Sequence, residues 1–112
     1  MRWFRRRRRS GMHGAARADL KEAMEHLEGF VRSRYGVEAY VEPRTMVTET
    51  TVLLVAHDGE WTRRRVAGPE EAYAFGRRLG IPVYEVNLVG YPQRMRDYNE
   101  RRKRTQRRAE SG

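Results

Sequence analysis

Hydrophobic positions follow several rhythms along the chain. From Ala15 the spacing is helical: Leu20, Ala23, Met24, Leu27, Phe30 and Val31 form one stripe, with Asp19, Lys21, Glu22, Glu25 and Glu28 off it. This predicts an amphipathic helix stopped by Gly36, with His26 among its exposed polar positions. Residues 37–42 alternate instead. Val37, Ala39 and Val41 fall on one face and Glu38, Tyr40 and Glu42 on the other, which predicts a half-buried strand ended by Pro43. Residues 50–56 are an unbroken β-favouring run, and residues 61–66 a second one. Between them lies His57-Asp58-Gly59-Glu60, and Asp-Gly between two such runs is a strong hairpin signal, because a type I′ turn needs positive φ at both central residues. A two-residue turn pairs His57 with Glu60, Ala56 with Trp61, Leu54 with Arg63 and Val52 with Arg65. The alternate face then carries Val55/Thr62, Leu53/Arg64 and Thr51/Val66.

Gly68-Pro69-Glu70-Glu71 reads as a helix start, with proline in the first turn and carboxylates at the positive end of the dipole. Ala72, Phe75, Gly76 and Leu79 supply its apolar face, Gly80 its C-terminal stop, and Pro82 blocks continuation. Residues 83–86 predict a short strand and Gly90-Tyr91-Pro92 a turn. Residues 93–108 are compatible with an extended basic helix, with too few apolar positions to dock it firmly. The expected fold is α+β: a single small domain over residues 15–92 in the order α-β-β-β-α-β. An antiparallel meander packs on two helices, between a disordered arginine-rich arm (1–14) and a basic C-terminal arm (93–112).

Charge changes the picture at the two ends. Residues 1–17 hold seven arginines and no acid, and residues 93–112 eight basic groups against three acidic ones. Residues 18–92 carry nine basic and twelve acidic groups, so the net charge of +9 lies in the arms. Two cationic arms on a slightly acidic body point to a polyanion, either nucleic acid or an anionic membrane surface. The plainer reading is solvated tails that keep the protein soluble. Of the 24 basic residues 22 are arginine, whose planar fork suits phosphate, although a GC-rich genome produces the same bias. Cysteine is absent, which excludes disulfides, thiol nucleophiles and cysteine-bound metals. The opening MRWFRRRRRS has the charge of a secretory signal, but no apolar stretch follows it, and no run approaches a membrane span. The expected location is the cytoplasm.

The candidate contacts follow from these arms and from the hairpin. Trp3 and Phe4 beside Arg5, Arg6, Arg7, Arg8 and Arg9 can stack on bases or sit at a lipid headgroup layer. If Leu53, Val55 and Val66 face the helices, Trp61, Arg63 and Arg65 share an open sheet face with Val52 and Leu54, where an aromatic ring and two guanidiniums can clamp nucleic acid. The alternative is structural: Trp61 packs over Ala56 and Leu54, while Arg63 and Arg65 cap the sheet against Glu38 or Glu42. The C-terminal arm adds Arg94, Arg96, Arg101, Arg102, Lys103, Arg104, Arg107 and Arg108, with Tyr91 and Tyr98 interleaved.

The α-β-β-β-α order is shared with the double-stranded RNA-binding domain. In that family a lysine cluster at the second helix meets phosphates. Here Pro69-Glu70-Glu71 occupies that place and would repel them, and the Asp58-Gly59 turn is not that family's minor-groove loop. That binding mode is excluded. Catalysis has little to stand on: His13, His26 and His57 lack ligand spacing, Ser10, Ser33 and Ser111 are poorly placed for a nucleophile, and no GxGxxG, P-loop or GxSxG occurs. No enzyme activity, cofactor or metal is expected.

EPRT at 42–45, DGEWTRRRV at 58–66, IPVY at 81–84 and VGYPQRMRDY at 89–98 together resemble a group of small uncharacterised basic proteins of actinobacteria. The resemblance covers residues 36–98. It implies a cytoplasmic single-domain protein and carries over no active site. The reading of the whole chain is a non-enzymatic nucleic-acid-associated accessory protein, with RNA or the ribosome favoured over DNA because no recognition helix is evident. Its arms would bind phosphates by counterion release. Two other readings stand beside it. One is peripheral association with an anionic membrane through Trp3, Phe4 and the following arginines. The other is a protein-interaction module whose sheet face or last strand docks a partner. Neither sheet order nor oligomeric state is legible.

Overall fold

The computed structural model describes residues 2–111, with side chains from residue 16 onward. The elements in chain order are α1 (Arg2–Ser33), β1 (Glu38–Glu42), β2 (Thr51–Val55), β3 (Trp61–Arg65), α2 (Pro69–Leu79), β4 (Val83–Glu85), α3 (Val86–Val89) and α4 (Gln93–Ser111). The helix expected from Ala15 thus begins at Arg2 and takes in the backbone of the segment expected to be a disordered arm. The side chains of Trp3, Phe4 and Arg5 to Arg9 lie outside the described ones.

The strands form one sheet in the order β3-β2-β1-β4. β1, β2 and β3 are the expected antiparallel meander, and β4 adds itself parallel to β1. The crossover that a parallel neighbour requires is made by α2. Its start at Pro69 and its end at Gly80 are where the sequence places them: Gly80 is left-handed at φ 69° and returns its N–H to the Gly76 carbonyl. Gly76 faces β4 so closely that a Cβ there would lie 2.1 Å from Val83 Cγ2.

The hairpin register differs from the expectation by one residue. Val55 pairs with Trp61, Leu54 with Thr62, Leu53 with Arg63, Val52 with Arg64 and Thr51 with Arg65. The turn holds three residues rather than two. Gly59 N–H donates to the Ala56 carbonyl at 2.9 Å, and Ala56 N–H donates to the Glu60 carbonyl at 2.8 Å. Gly59 alone takes positive φ, 93°, and Asp58 Oδ1 accepts the Glu60 N–H at 3.0 Å. Asp-Gly suits this bulged loop as well as a type I′ turn, so the dipeptide gave the hairpin but not its register.

The slip moves side chains between faces. Val52, Leu54, Ala56 and Val66 join Val37, Ala39 and Val41 against Leu27 and Phe30 of α1 and Ala72 and Phe75 of α2. α1 runs along β3: Leu20 and Met24 lie beside Val66, His26 Nε2 is 2.7 Å from Thr62 Oγ1, and Arg34 reaches Glu60. The opposite face, expected to be open, is a second core. Tyr40, Leu53 and Val55 pack there with Val86 of α3, Met95 of α4 and the ring of Trp61. The unbroken apolar run of β2 is therefore buried on both sides, as a strand between two helical layers must be.

Candidate nucleic-acid interface

Trp61, Arg63 and Arg65 do share a face, as alternation along a strand requires, but helices cover part of it, and the polar groups of Trp61 and Arg63 are engaged inside the fold. The indole N–H of Trp61 donates to Asn99 Oδ1 of α4 at 2.8 Å. Arg63 makes a forked pair with Glu42, Nε to Oε1 at 2.6 Å and Nη2 to Oε2 at 2.9 Å. Glu42 also accepts from Thr51 Oγ1 at 2.8 Å and from the Tyr91 hydroxyl. Burial raises the Glu42 pKa, and the bonds from Arg63, Tyr91 and Thr51 together outweigh it, so the carboxyl sits below its ordinary range. The structural alternative for Arg63 is the observed one. Arg65 lies exposed at the far end of β3, with no ion pair among the described residues.

The β2–β3 turn is a second junction, and arginines build it. Arg34 clamps Glu60 with Nε to Oε1 at 2.9 Å and Nη2 to Oε2 at 2.6 Å, and its guanidinium lies 4.2 Å from the centre of the Phe30 ring. The Arg34 bond holds Glu60 below its ordinary range. From the other side, Arg94 of α4 donates to the Ala56 carbonyl at 3.0 Å and to Glu38 Oε1 at 2.6 Å. Arg101 donates to the Asp58 carbonyl at 2.7 Å. Gly59 is wedged against α4, where a Cβ would lie 2.0 Å from the Arg94 carbonyl oxygen. The sequence suggested that α4 had too few apolar residues to dock. Its first turns dock on Met95 and on these polar anchors instead.

Beyond Asn99 the same helix leaves the body. Every residue from Glu100 to Ser111 is exposed. Arg101, Arg104 and Arg108 form a stripe at i, i+3 and i+7, with Arg107 beside Arg108 and Arg102 at its foot. Arg102, Arg104, Arg107 and Arg108 make no ion pair among the described residues, and Lys103 lies 3.8 Å from Glu100. Arg96 is exposed and donates to the Tyr91 carbonyl at 2.8 Å. The guanidiniums of Arg101 and Arg102 lie 5.8 Å and 5.9 Å from the centre of the Tyr98 ring.

The two basic segments join the body at opposite ends of the sheet. The packed part of α1 begins beside Val66, whereas α4 passes Asp58 as it leaves. Sequence reasoning missed one feature at the Asp58 end. Tyr35 stacks on His57 with ring centroids 4.0 Å apart and planes 13° from parallel, and it is 72% exposed. Tyr35 follows the end of α1 and so belongs to no stripe, and His57 sits in a turn; periodicity flags neither.

Among the described residues no cluster of three or more histidines, aspartates or glutamates is placed to hold a metal ion. No described helix is long and apolar enough to cross a membrane. No family model, curated protein or solved structure matches the chain.

Proposed function

We propose that the protein is a non-enzymatic, nucleic-acid-associated accessory protein that grips phosphates with the projecting half of α4 and with the arginines of its N-terminal segment. The observation that carries this reading is the exposed Arg101/Arg104/Arg108 stripe, anchored at its foot by Arg101 on the Asp58 carbonyl, beyond which Arg104 and Arg108 make no ion pair among the described residues. Like charges at i and i+4, such as Arg104 and Arg108, disfavour an isolated helix, and a polyanion laid along them reverses that cost. Guanidiniums on an otherwise featureless helix supply backbone affinity rather than base readout. That favours RNA or the ribosome, where shape is recognised, over sequence-specific DNA. Arg63 and Arg94 are assigned to the fold, not to the ligand.

Gradient sedimentation of a native lysate, with and without ribonuclease, tests this. The protein should run with ribosomal or other RNA particles and move to the top after digestion. Sedimentation at the top in both cases would contradict the proposal.

A specific observation favours one second reading, a protein-docking role at the other end of the sheet. Met46, Val47, Leu88 and Val89 are 103%, 91%, 82% and 55% exposed, and their chain neighbours Thr45, Thr48 and Asn87 line, with Tyr91, a cleft of about 370 Å³. On that reading Leu88→Lys abolishes partner capture, and high salt does not.

A further inference from the structure

The stacked pair Tyr35/His57 lies against the same turn that anchors α4. His57 precedes Asp58, whose carbonyl holds Arg101, and Gly59 next in line is pressed against Tyr98. Tyr35 is also held firmly. Arg34 before it is locked to Glu60 by two hydrogen bonds, and the Tyr35 carbonyl accepts the His57 N–H at 3.2 Å. Gly36 after it turns at φ 63°, so close to His57 that a Cβ would lie 2.9 Å from His57 Cβ. One ring face of Tyr35 therefore rests on His57 while the rest of the ring meets solvent.

An exposed aromatic ring with one face backed by His57 and the rest open to solvent, presented at the foot of a guanidinium stripe, has the two parts that single-stranded nucleic acid requires. We propose that Tyr35, backed by His57, is a base-stacking platform, and that the class of ligand is single-stranded RNA whose phosphates continue from this ring onto Arg101, Arg102, Arg104 and Arg108. This rests on the RNA reading above and deepens it, because a paired base in a duplex cannot offer its face to Tyr35. Two acids, Asp58 and Glu60, lie at the platform, and Glu60 is neutralised by Arg34. The Asp58 carboxylate accepts the Glu60 N–H at 3.0 Å, and the Arg101 guanidinium sits on the Asp58 backbone carbonyl.

The test is fluorescence anisotropy of the full chain with three labelled probes: an oligoadenylate strand, an abasic ribose-phosphate strand of the same length, and an RNA duplex. The oligoadenylate should bind about fivefold or more tighter than the abasic strand, and tighter than the duplex. Tyr35→Leu, which still covers His57 but has no π face, should abolish the preference and leave abasic-strand affinity unchanged. Tyr35→Phe should keep the preference. Arg104→Ala with Arg108→Ala should weaken all three probes together. Equal binding of the base-bearing and abasic strands, or a preference that survives Tyr35→Leu, overturns the platform while leaving the phosphate grip intact. If no probe binds the wild-type chain, the RNA reading falls and the platform with it.

Discussion

Arg94 and Glu38 are joined at 2.6 Å, and the same guanidinium donates to the carbonyls of Ala56 and Val55 at 3.0 Å and 3.3 Å. One arginine of the basic C-terminal segment thus ties α4 to β1 and to the end of β2. It divides the arginines of this chain into two sets. Arg34, Arg63 and Arg94 are occupied by carboxylates and carbonyls of the body, while Arg102, Arg104, Arg107 and Arg108 extend beyond it.

Stability should follow that division. Arg94→Ala removes charge-assisted bonds at a partly buried site and leaves Glu38 without its cation, a loss of about 2 kcal/mol. Arg104→Ala and Arg108→Ala should each change stability by less than about 0.5 kcal/mol. Urea unfolding of the three variants checks the contrast.

Gly59→Ala should be among the more damaging single substitutions. The residue sits at φ 93°, and its Cβ would overlap the Arg94 carbonyl oxygen, so the turn and α4 cannot both keep their positions. A loss of about 2–4 kcal/mol is expected. It should be accompanied by a red shift in tryptophan emission as the Trp61–Asn99 bond opens.

Truncation should locate the boundary between docked and projecting helix. Deleting residues 102–112 removes only exposed positions and should leave the melting temperature within a few degrees. Deleting residues 93–112 takes away Met95, Arg94 and Asn99 and uncovers Leu53, Val55 and Trp61, so cooperative unfolding should be lost or shifted down sharply. Thermal melts of the two truncations decide it.

Acid should destabilise the fold in two stages. His26 lies below its ordinary value of 6.5 because of partial burial and the nearby Arg64 and Arg34. Glu42 and Glu60 lie below their ordinary value of 4.5. A group held low in the folded state contributes stability above its unfolded value, and that contribution is lost as pH falls through the folded one. The melting temperature should therefore begin to fall below about pH 6.5 and fall more steeply below about pH 4.5. His26→Gln should flatten the first stage and Glu42→Gln the second, measured as melting temperature against pH.

The helices were legible where the apolar stripe was long: Leu20 to Val31 for α1, and Ala72 to Leu79, between Pro69 and Gly80, for α2. The hairpin was legible as a hairpin. Its register was not, because Val52, Leu53, Leu54 and Val55 are apolar on both faces and either pairing buries something. That same run carried an unused signal. A strand with no polar face needs a second cover, and the chain from Val86 onward was the remaining segment able to supply it. The docking of α4 rests on one methionine and on Arg94, Asn99 and Arg101, whose partners are carbonyls and side chains distant in sequence. Arg63 shows the same limit. Whether an arginine on a strand meets solvent or Glu42 depends on which strands are neighbours, and that order was not in the pattern.

The most direct measurement is the salt dependence of single-stranded RNA affinity for the purified full chain, compared with an Arg104→Ala, Arg107→Ala, Arg108→Ala variant and with Arg63→Ala. If the projecting half of α4 grips phosphates, the triple variant should reduce the log–log slope by about 2. Arg63→Ala should leave it unchanged. A slope that is the same in the triple variant, or one that drops with Arg63→Ala instead, would contradict the assignment of α4 as the nucleic-acid contact.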